Sequence, residues 1–470
     1  MPAEASRAAV GSCVERALAR AAASGRPVVA AVAIELDPET DVAACVFASR
    51  GAEERYFVWE QPERDRFAIG GLGEVVSIDD TSGTHRFEAA SLQAAEVMRD
   101  AVIEADLSDV AAGPLWVGGF AFASEGGRTP EWATYPPALL VLPELALVRR
   151  GADATATVTV LCRPGAEPEP LTERMLGRLA GLRHQPLPLV DPDPAGGYDL
   201  KSVRPPEEFE RAVSEAARSV AAGHVRKIVL AREVTVSAAA PFKPAAVFGA
   251  LRSGYPSCYC FCVGTPEAAF VGASPELLVR RSGSVLSTVA LAGSTRRSAD
   301  PAVDDHLGER LLHSAKDLVE HRIVVRTIER ALAPHSVWVT TAEEPSLVKV
   351  ANIQHLATPI RALLAEPRSV IALAGALHPT SAVGGEPWDR ARGLLPDLER
   401  LDRGWYAGPI GWMDVTEDGE LCVALRCTLI TGNVAHCYAG GGIVADSDPE
   451  AELAETEVKL QAVLPALTGA

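Results

Sequence analysis

The last part of the chain constrains the fold most. Residues 407–414, 420–430 and 434–439 read as strands separated only by turns. Links that short join antiparallel neighbours, because parallel neighbours need a crossover of roughly a dozen residues. Further strand-like runs fall at 227–236, 259–263, 269–272 and 276–281, and earlier at 28–36, 56–60, 115–122 and 138–141. Helical patterns lie between them, for example at 4–23, 91–105 and 206–222. The pattern predicts a mixed α/β fold with large, mainly antiparallel sheets covered by helices. With 470 residues, 48% of them hydrophobic, the chain can fill a large composite core or two lobes. A Pro-, Gly- and Asp-rich stretch at 183–206 marks the expected link between two halves, 1–195 and 200–465. Gly70-Gly71-Leu72-Gly73 precedes a strand-like run at 74–78. A dinucleotide fingerprint needs a helix there, so a tight turn is expected.

The net charge of −18, with no Lys/Arg-rich run, argues against nucleic acid and anionic membranes as main partners. It leaves a small anionic substrate open. No apolar stretch reaches the length of a membrane span, and the N-terminus lacks a signal pattern, so a cytoplasmic protein is expected. Of nine cysteines, Cys258, Cys260 and Cys262 alternate at strand period, which suits core packing better than zinc ligation.

Chemistry is suggested by charged residues at helical spacing. Ser447-Asp448-Pro449-Glu450 starts a helix that carries Glu452, Glu455 and Lys459 on one face. Alone, that face also fits a solvated surface with an ordinary ion pair. The glycine run at 439–443 reads as a loop before this helix, where Gly440, Gly441 and Gly442 would let the backbone approach a ligand. A long helix over 303–333 would carry Asp317 and Glu320, with His313 one turn earlier. Leu311, Leu312, Leu318, Val319, Ile323 and Val324 would mark its buried side. Two such helices facing each other would offer oxygens to a hard cation. Mg²⁺ fits best, since it keeps waters and needs only one or two carboxylates plus substrate.

Lys227, on a strand face with Val229 and Ala231, could be a base of lowered pKa or an edge-strand charge. Glu276, after Gly272-Ala-Ser-Pro, could be a protonated acid or a surface turn residue. Arg426 interrupts the apolar run 421–425 and needs an anion, either a structural carboxylate or a substrate. His355 is by residue type more often a satisfied core histidine than a site residue.

Together these residues resemble the chorismate-using enzymes, which include isochorismate, salicylate, anthranilate and aminodeoxychorismate synthases. The matching segments run in the family's order across 200–465. They are Lys227-Ile-Val-Leu-Ala-Arg232, Gly272-Ala-Ser-Pro-Glu276, Leu291-Ala-Gly-Ser294, Lys316-Asp-x-x-Glu320-His321 and His355-Leu-Ala-Thr358. After them come His378-Pro-Thr-Ser-Ala382-Val-Gly-Gly385, Arg426-Cys, Gly440-Gly-Gly-Ile-Val444 and Glu452-x-x-Glu455-x-x-x-Lys459. The first half resembles the family's variable half, with Gly118-Gly-Phe-Ala-Phe122 a modest match.

The resemblance implies one composite fold with its active site in the second half. Glu320 and Glu455 would bind Mg²⁺, assisted by Asp317 and Glu452, and the metal would hold the ring carboxylate of chorismate. Tyr406, Arg426, Lys459, Gly440 and the Gly293–Ser294 amides would hold other oxygens, with Gly441, Gly442 and His355 also binding substrate and Ala382 along the ring. Lys227 as base and Glu276 as acid would replace the C4 hydroxyl by water attack at C2. Lysine at 227 and alanine at 292 both resemble the water-using members. Ser294 resembles isochorismate synthases, whereas threonine is commoner in salicylate synthases. The implied enzyme is an isochorismate synthase, a hydroxymutase acting as a monomer without a glutaminase subunit. It would serve menaquinone, siderophore or salicylate routes. A salicylate synthase that also eliminates pyruvate, or a non-catalytic chorismate binder, are the alternatives.

Overall fold

In the computed structural model, residues 3–79, 81–105, 111–191 and 197–469 are described. Two sheets form among them, one of 13 strands and one of 10. Pairing is antiparallel apart from Val28–Glu35 with Val102–Glu104. Helices cover the outer faces, so the chain is mixed α/β with mainly antiparallel sheets, as the turn-linked strands require. Part of the expected link, 192–196, lies outside the described residues.

Each sheet takes strands from both ends of the sequence. In the first, Tyr56–Gln61 pairs with Tyr259–Gly264. In the second, Leu115–Phe120 pairs with Pro409–Asp414. Buried aromatics fill the layer between the sheets, among them Trp59, Trp116, Trp132, Trp405 and Trp412. All nine cysteines are free and buried, and Cys258, Cys260 and Cys262 pack in a core cluster. Among the described residues no helix is long and apolar enough to cross a membrane.

Five local features differ from the reading of the sequence, the first being the helix expected at 91–105, which runs Arg86–Met98 and gives way to the strand Val102–Glu104. The run expected as one strand over 420–430 is two, Gly419–Val423 in the smaller sheet and Cys427–Thr431 in the larger. The chain switches sheets at 424–426, and Arg426 takes a positive φ of 50° there. Side chains on both strands are buried, so hydropathy does not mark the switch. The long helix is also two, Pro301–Leu312 and Ala315–Leu332. Ser314 caps the second by accepting from the Asp317 N–H, which makes His313 an exposed helix end. The second helix buries His321, Val324, Ile328 and Leu332, while Val319 is exposed. The glycine run is strand, because Val434 continues to Ile443 alongside Lys227–Ala238. Lys227 therefore starts an inner strand, which removes the edge-strand reading. Finally, Gly70 and Gly71 lie within Phe67–Leu72, and the turn begins at Gly73.

Candidate active site

A second sheet switch runs beside the first. Ala269–Ser274 belongs to the larger sheet and Leu277–Ser282 to the smaller, so the chain crosses at Pro275–Glu276. The two crossings are stitched together. The Ala273 N–H donates to Arg426 O at 3.1 Å, and the Val423 N–H donates to Glu276 O at 3.0 Å. Ser274 Oγ donates to Val423 O at 2.5 Å. Glu276 and Arg426 thus enter the cleft between the sheets from adjacent crossings, held by backbone bonds.

One cavity in that cleft is lined by Glu276, Gly293, Ser294, Asp317, Glu320, His355, Ala382, Tyr406, Arg426, Gly440, Gly442, Glu452, Glu455 and Lys459. Lys227 and Gly441 are not on its wall. Lys227 lies behind Gly442, almost fully buried, with Nζ 2.8 Å from Glu320 Oε1. Its surroundings are therefore not only the small apolar neighbours of its strand.

The backbone geometry around the cavity is specific. The strand Val285–Arg296 slips register against Ile353–Leu364 between Leu291 and Ser294, a bulge that aims Gly293 and Ser294 inward. Gly293 has φ +79°. His321 holds this bulge. Its Nδ1 is 3.1 Å from Ala292 O and its Nε2 is 2.7 Å from Thr358 Oγ1. Gly442 is needed for space, since a Cβ there would lie 2.4 Å from Glu320 Oε1 and 2.7 Å from Lys227 Cε. Gly442→Ala is expected to displace both groups and lower turnover by about 10²-fold, the scale of an ångström-sized misplacement. Steady-state kinetics on the folded variant, with wild-type melting as the control, checks this.

The charges are arranged in pairs. Lys459 Nζ lies 2.7 Å from both Glu455 Oε1 and Gly440 O. Ser294 Oγ donates to Glu455 at 2.9 Å. Burial pushes the Glu455 carboxyl up, but Lys459 and the Ser294 hydroxyl outweigh it and bring it down to about 2. Lys316 Nζ lies 3.2 Å from Glu452 Oε1. Burial raises Glu452, and the Glu455 charge adds to that. Asp317 is also raised by burial, against a hydrogen bond from Ser314. Burial pushes Glu276 up to about 7, although the charges of Lys227, Arg426 and Lys459 pull it down. His355 is lowered to about 3 by burial and by Arg426, whose Nη2 is 3.4 Å from its Nε2. Arg426 Nε is buried with no protein partner. A cation held at a cavity wall with a free donor suits an anionic guest.

The chorismate binding enzyme family matches residues 16–468. The chain belongs to the chorismate-binding enzyme family. It is 37% identical over 455 residues to the salicylate biosynthesis isochorismate synthase of Pseudomonas aeruginosa, covering 97% of this chain and 93% of that one. It is 32% identical to the isochorismate synthase MenF of Bacillus subtilis, covering 88% of each. The structure of MenF, the menaquinone-specific isochorismate synthase from Escherichia coli, superposes with a TM-score of 0.77 at 27% identity, over 97% of this chain and 99% of that one.

The carboxylates of the cavity fit a hard cation in their chemistry. Glu320 and Asp317 come from one helix, and Glu452 and Glu455 from Pro449–Leu460. Among the described residues no three acidic, histidine or cysteine side chains close round one point. The donor set suits an ion that takes one or two carboxylates and completes its shell with substrate and water, not a protein cage.

Sequence reasoning missed several cavity residues. Arg403 lines it and is fully engaged, bonding Glu399, Val383 O and Val229 O. Glu399 and Arg403 are four apart on the sequence and resemble a surface pair, yet both are buried. Lys316 stood in a matched motif without a role. His321 and Thr358 carried a signal only as members of two motifs.

Proposed function

We propose that this enzyme converts chorismate to isochorismate, with Mg²⁺ as the required ion. One observation carries the reading. Glu276, poised near neutrality, lines one cavity with Arg426, and the charges of Arg426 and of Lys227 behind Gly442 both reach it. An acid and a base with a cation for the substrate are then available to one small anion.

In the proposed reaction Lys227 takes a proton from water as its oxygen bonds to C2. The ring double bonds shift, the C4–O bond breaks, and Glu276 gives its proton to the departing hydroxyl. One water enters and one leaves. To act, Lys227 must be neutral and Nζ must turn from Glu320 toward the water. Arg426, Tyr406 and the backbone at Gly293–Ser294 and Gly440 would hold substrate oxygens. Ala382 would lie along the ring, with His355 supporting Arg426. Lys459 would hold the substrate while keeping Glu455 ionised, and Gly441 and Gly442 would leave room for Glu452, Glu320 and Lys227. Glu320 and Glu455 would hold Mg²⁺, with Asp317 and Glu452 behind them. The bound ion would supply positive charge for a substrate carboxylate.

The enzyme would act in the cytoplasm as a single chain, with no glutaminase subunit to deliver ammonia. Chromatography of products from chorismate and Mg²⁺ tests the function. Isochorismate as the main product is expected, and salicylate with pyruvate as the main output would overturn it.

Arg426→Ala is expected to raise KM for chorismate about 10–100-fold, the scale of a charge-assisted hydrogen bond, and to change kcat less. A variant with normal KM would show that Arg426 serves only to join the sheets.

A further inference from the structure

A second cavity of about 600 Å³ lies beside the first, and Arg403 borders both. Part of its wall is aromatic, among charged residues. Phe122 is 5.7 Å from Trp388 and 5.9 Å from His378, centroid to centroid, and Arg403 Cζ stacks 4.1 Å from its ring. Arg86 lies beside Phe87 and is 5% exposed.

Arg86 is unusual for a buried cation. Its Nη2 donates to Ala121 O at 2.9 Å and its Nη1 to Gly83 O at 3.4 Å, while Nε has no partner. Among the described residues no carboxylate is paired with it, and burial alone pulls it down, to about 10. Buried guanidinium groups are normally matched to an anion. The inner acids of the cavity are already engaged. Asp402 accepts from the amides of Gly127, Arg128, Thr129 and Gly404. Glu399 is bonded to Arg403 and to the Ala231 N–H.

His378 carries a second unpartnered buried atom. Its Nε2 is 2.9 Å from Phe122 O, so that nitrogen carries the proton and donates. Burial keeps the ring neutral, lowered to about 3, and the nearby charge of Arg86 acts in the same direction. Nδ1 is then a bare acceptor, buried and without a partner.

We propose that this cavity is a second small-molecule site, for a planar six-membered-ring carboxylate that also carries a hydroxyl or amino donor. The carboxylate would accept from Arg86 Nε–H, the ring would pack on Phe122 and Trp388, and the donor would reach His378 Nδ1. A single edge of one guanidinium beside an aromatic wall suits a ring carboxylate better than a phosphate, which would want more donors. Arg392, with Asp389 and Glu125, stands at the rim. The occupant would press on Phe122 and so on Arg403, which fixes Val383 beside Ala382 in the first cavity.

Titration calorimetry with 4-hydroxybenzoate tests this on the full chain and three variants. Arg426→Gln removes the anion contact of the first cavity, so binding that persists in it belongs elsewhere. Arg86→Gln is expected to weaken that binding at least about tenfold, the loss of one charge-assisted bond. Gly393→Phe tests the site without touching its charges. Gly393 lies on the cavity's exposed rim, and a Cβ there meets only open space, so a ring at this position is expected to crowd the mouth and block binding without a clash that would unfold the helix. Melting curves report folding, and if Arg86→Gln does not fold, Gly393→Phe decides. Persistence in Arg426→Gln with loss in Gly393→Phe supports the site. Loss of all binding in Arg426→Gln, undiminished binding in Gly393→Phe or in folded Arg86→Gln, or no binding to the wild type at about 1 mM overturns it.

Discussion

Replacing Lys227 with methionine is expected to lower chorismate turnover by about 10²–10⁴-fold, the usual worth of a positioned general base. Methionine keeps most of the buried stem, so packing changes little. The ion pair to Glu320, at 2.8 Å, is lost. Removing one member of a buried pair can itself destabilise the fold, because the remaining charge loses its partner. The two effects separate experimentally. A stability loss lowers the active fraction, which melting and active-site titration report. Loss of the base lowers kcat of the folded fraction and leaves the KM for chorismate near its wild-type value. If folded Lys227→Met turned chorismate over at close to the wild-type rate, another group would have to take the proton from water.

The helix of Glu452, Glu455 and Lys459 was legible from spacing alone, because i, i+3 and i+4 positions must share a face. What spacing could not supply was the other side of the cleft. Glu276 and Arg426 are about 150 residues apart, and they meet because two strand pairs change sheets at the same height. Nothing in hydropathy marks such a switch when both strands are buried on each side. The same limit applies to the glycines. Gly440 to Gly442 looked like a loop because glycine weakens strands. They are strand because the neighbouring strand supplies the hydrogen bonds, while Glu320, Lys227 and Tyr406 occupy the space that side chains would take.

The break at Ser314 was readable in principle. Ser314-Ala-Lys-Asp317 has the spacing of a helix start, with an acidic residue three positions after the cap. The apolar residues on either side masked it, since their periodicity runs across the gap. Its consequence is functional. A continuous helix would put Asp317 in mid-helix, whereas the cap places it in the first turn, bonded to Ser314, with Glu320 one turn on facing Lys227. The fold was therefore legible as a class and the site as a set of motifs. The contacts that orient the motifs depend on where chains cross, which a one-dimensional pattern does not record.

Glu276→Gln is expected to cost about 10²–10⁴-fold in kcat/KM, because an amide keeps the size and a hydrogen bond but cannot give up a proton. The pH profile distinguishes this from a packing defect. Burial raises the Glu276 carboxyl from the ordinary glutamate range to about 7, so the protonated form that donates predominates below pH 7. Raising the pH through about 7 removes that proton, while the same rise favours the neutral Lys227 that the reaction also needs, so the test is the ratio of wild-type to Glu276→Gln kcat/KM, which should hold steady below about 7 and fall above it. The profile of kcat/KM reports the free enzyme, which is the state to which this value belongs. In Glu276→Gln the rate should be low throughout, and its profile should follow only the remaining groups, with no break near pH 7. A variant that is merely mispacked would keep the wild-type pH dependence at reduced height, so the ratio would not change with pH. A ratio that stays constant through pH 8 would assign the proton donor to a different group in the cleft.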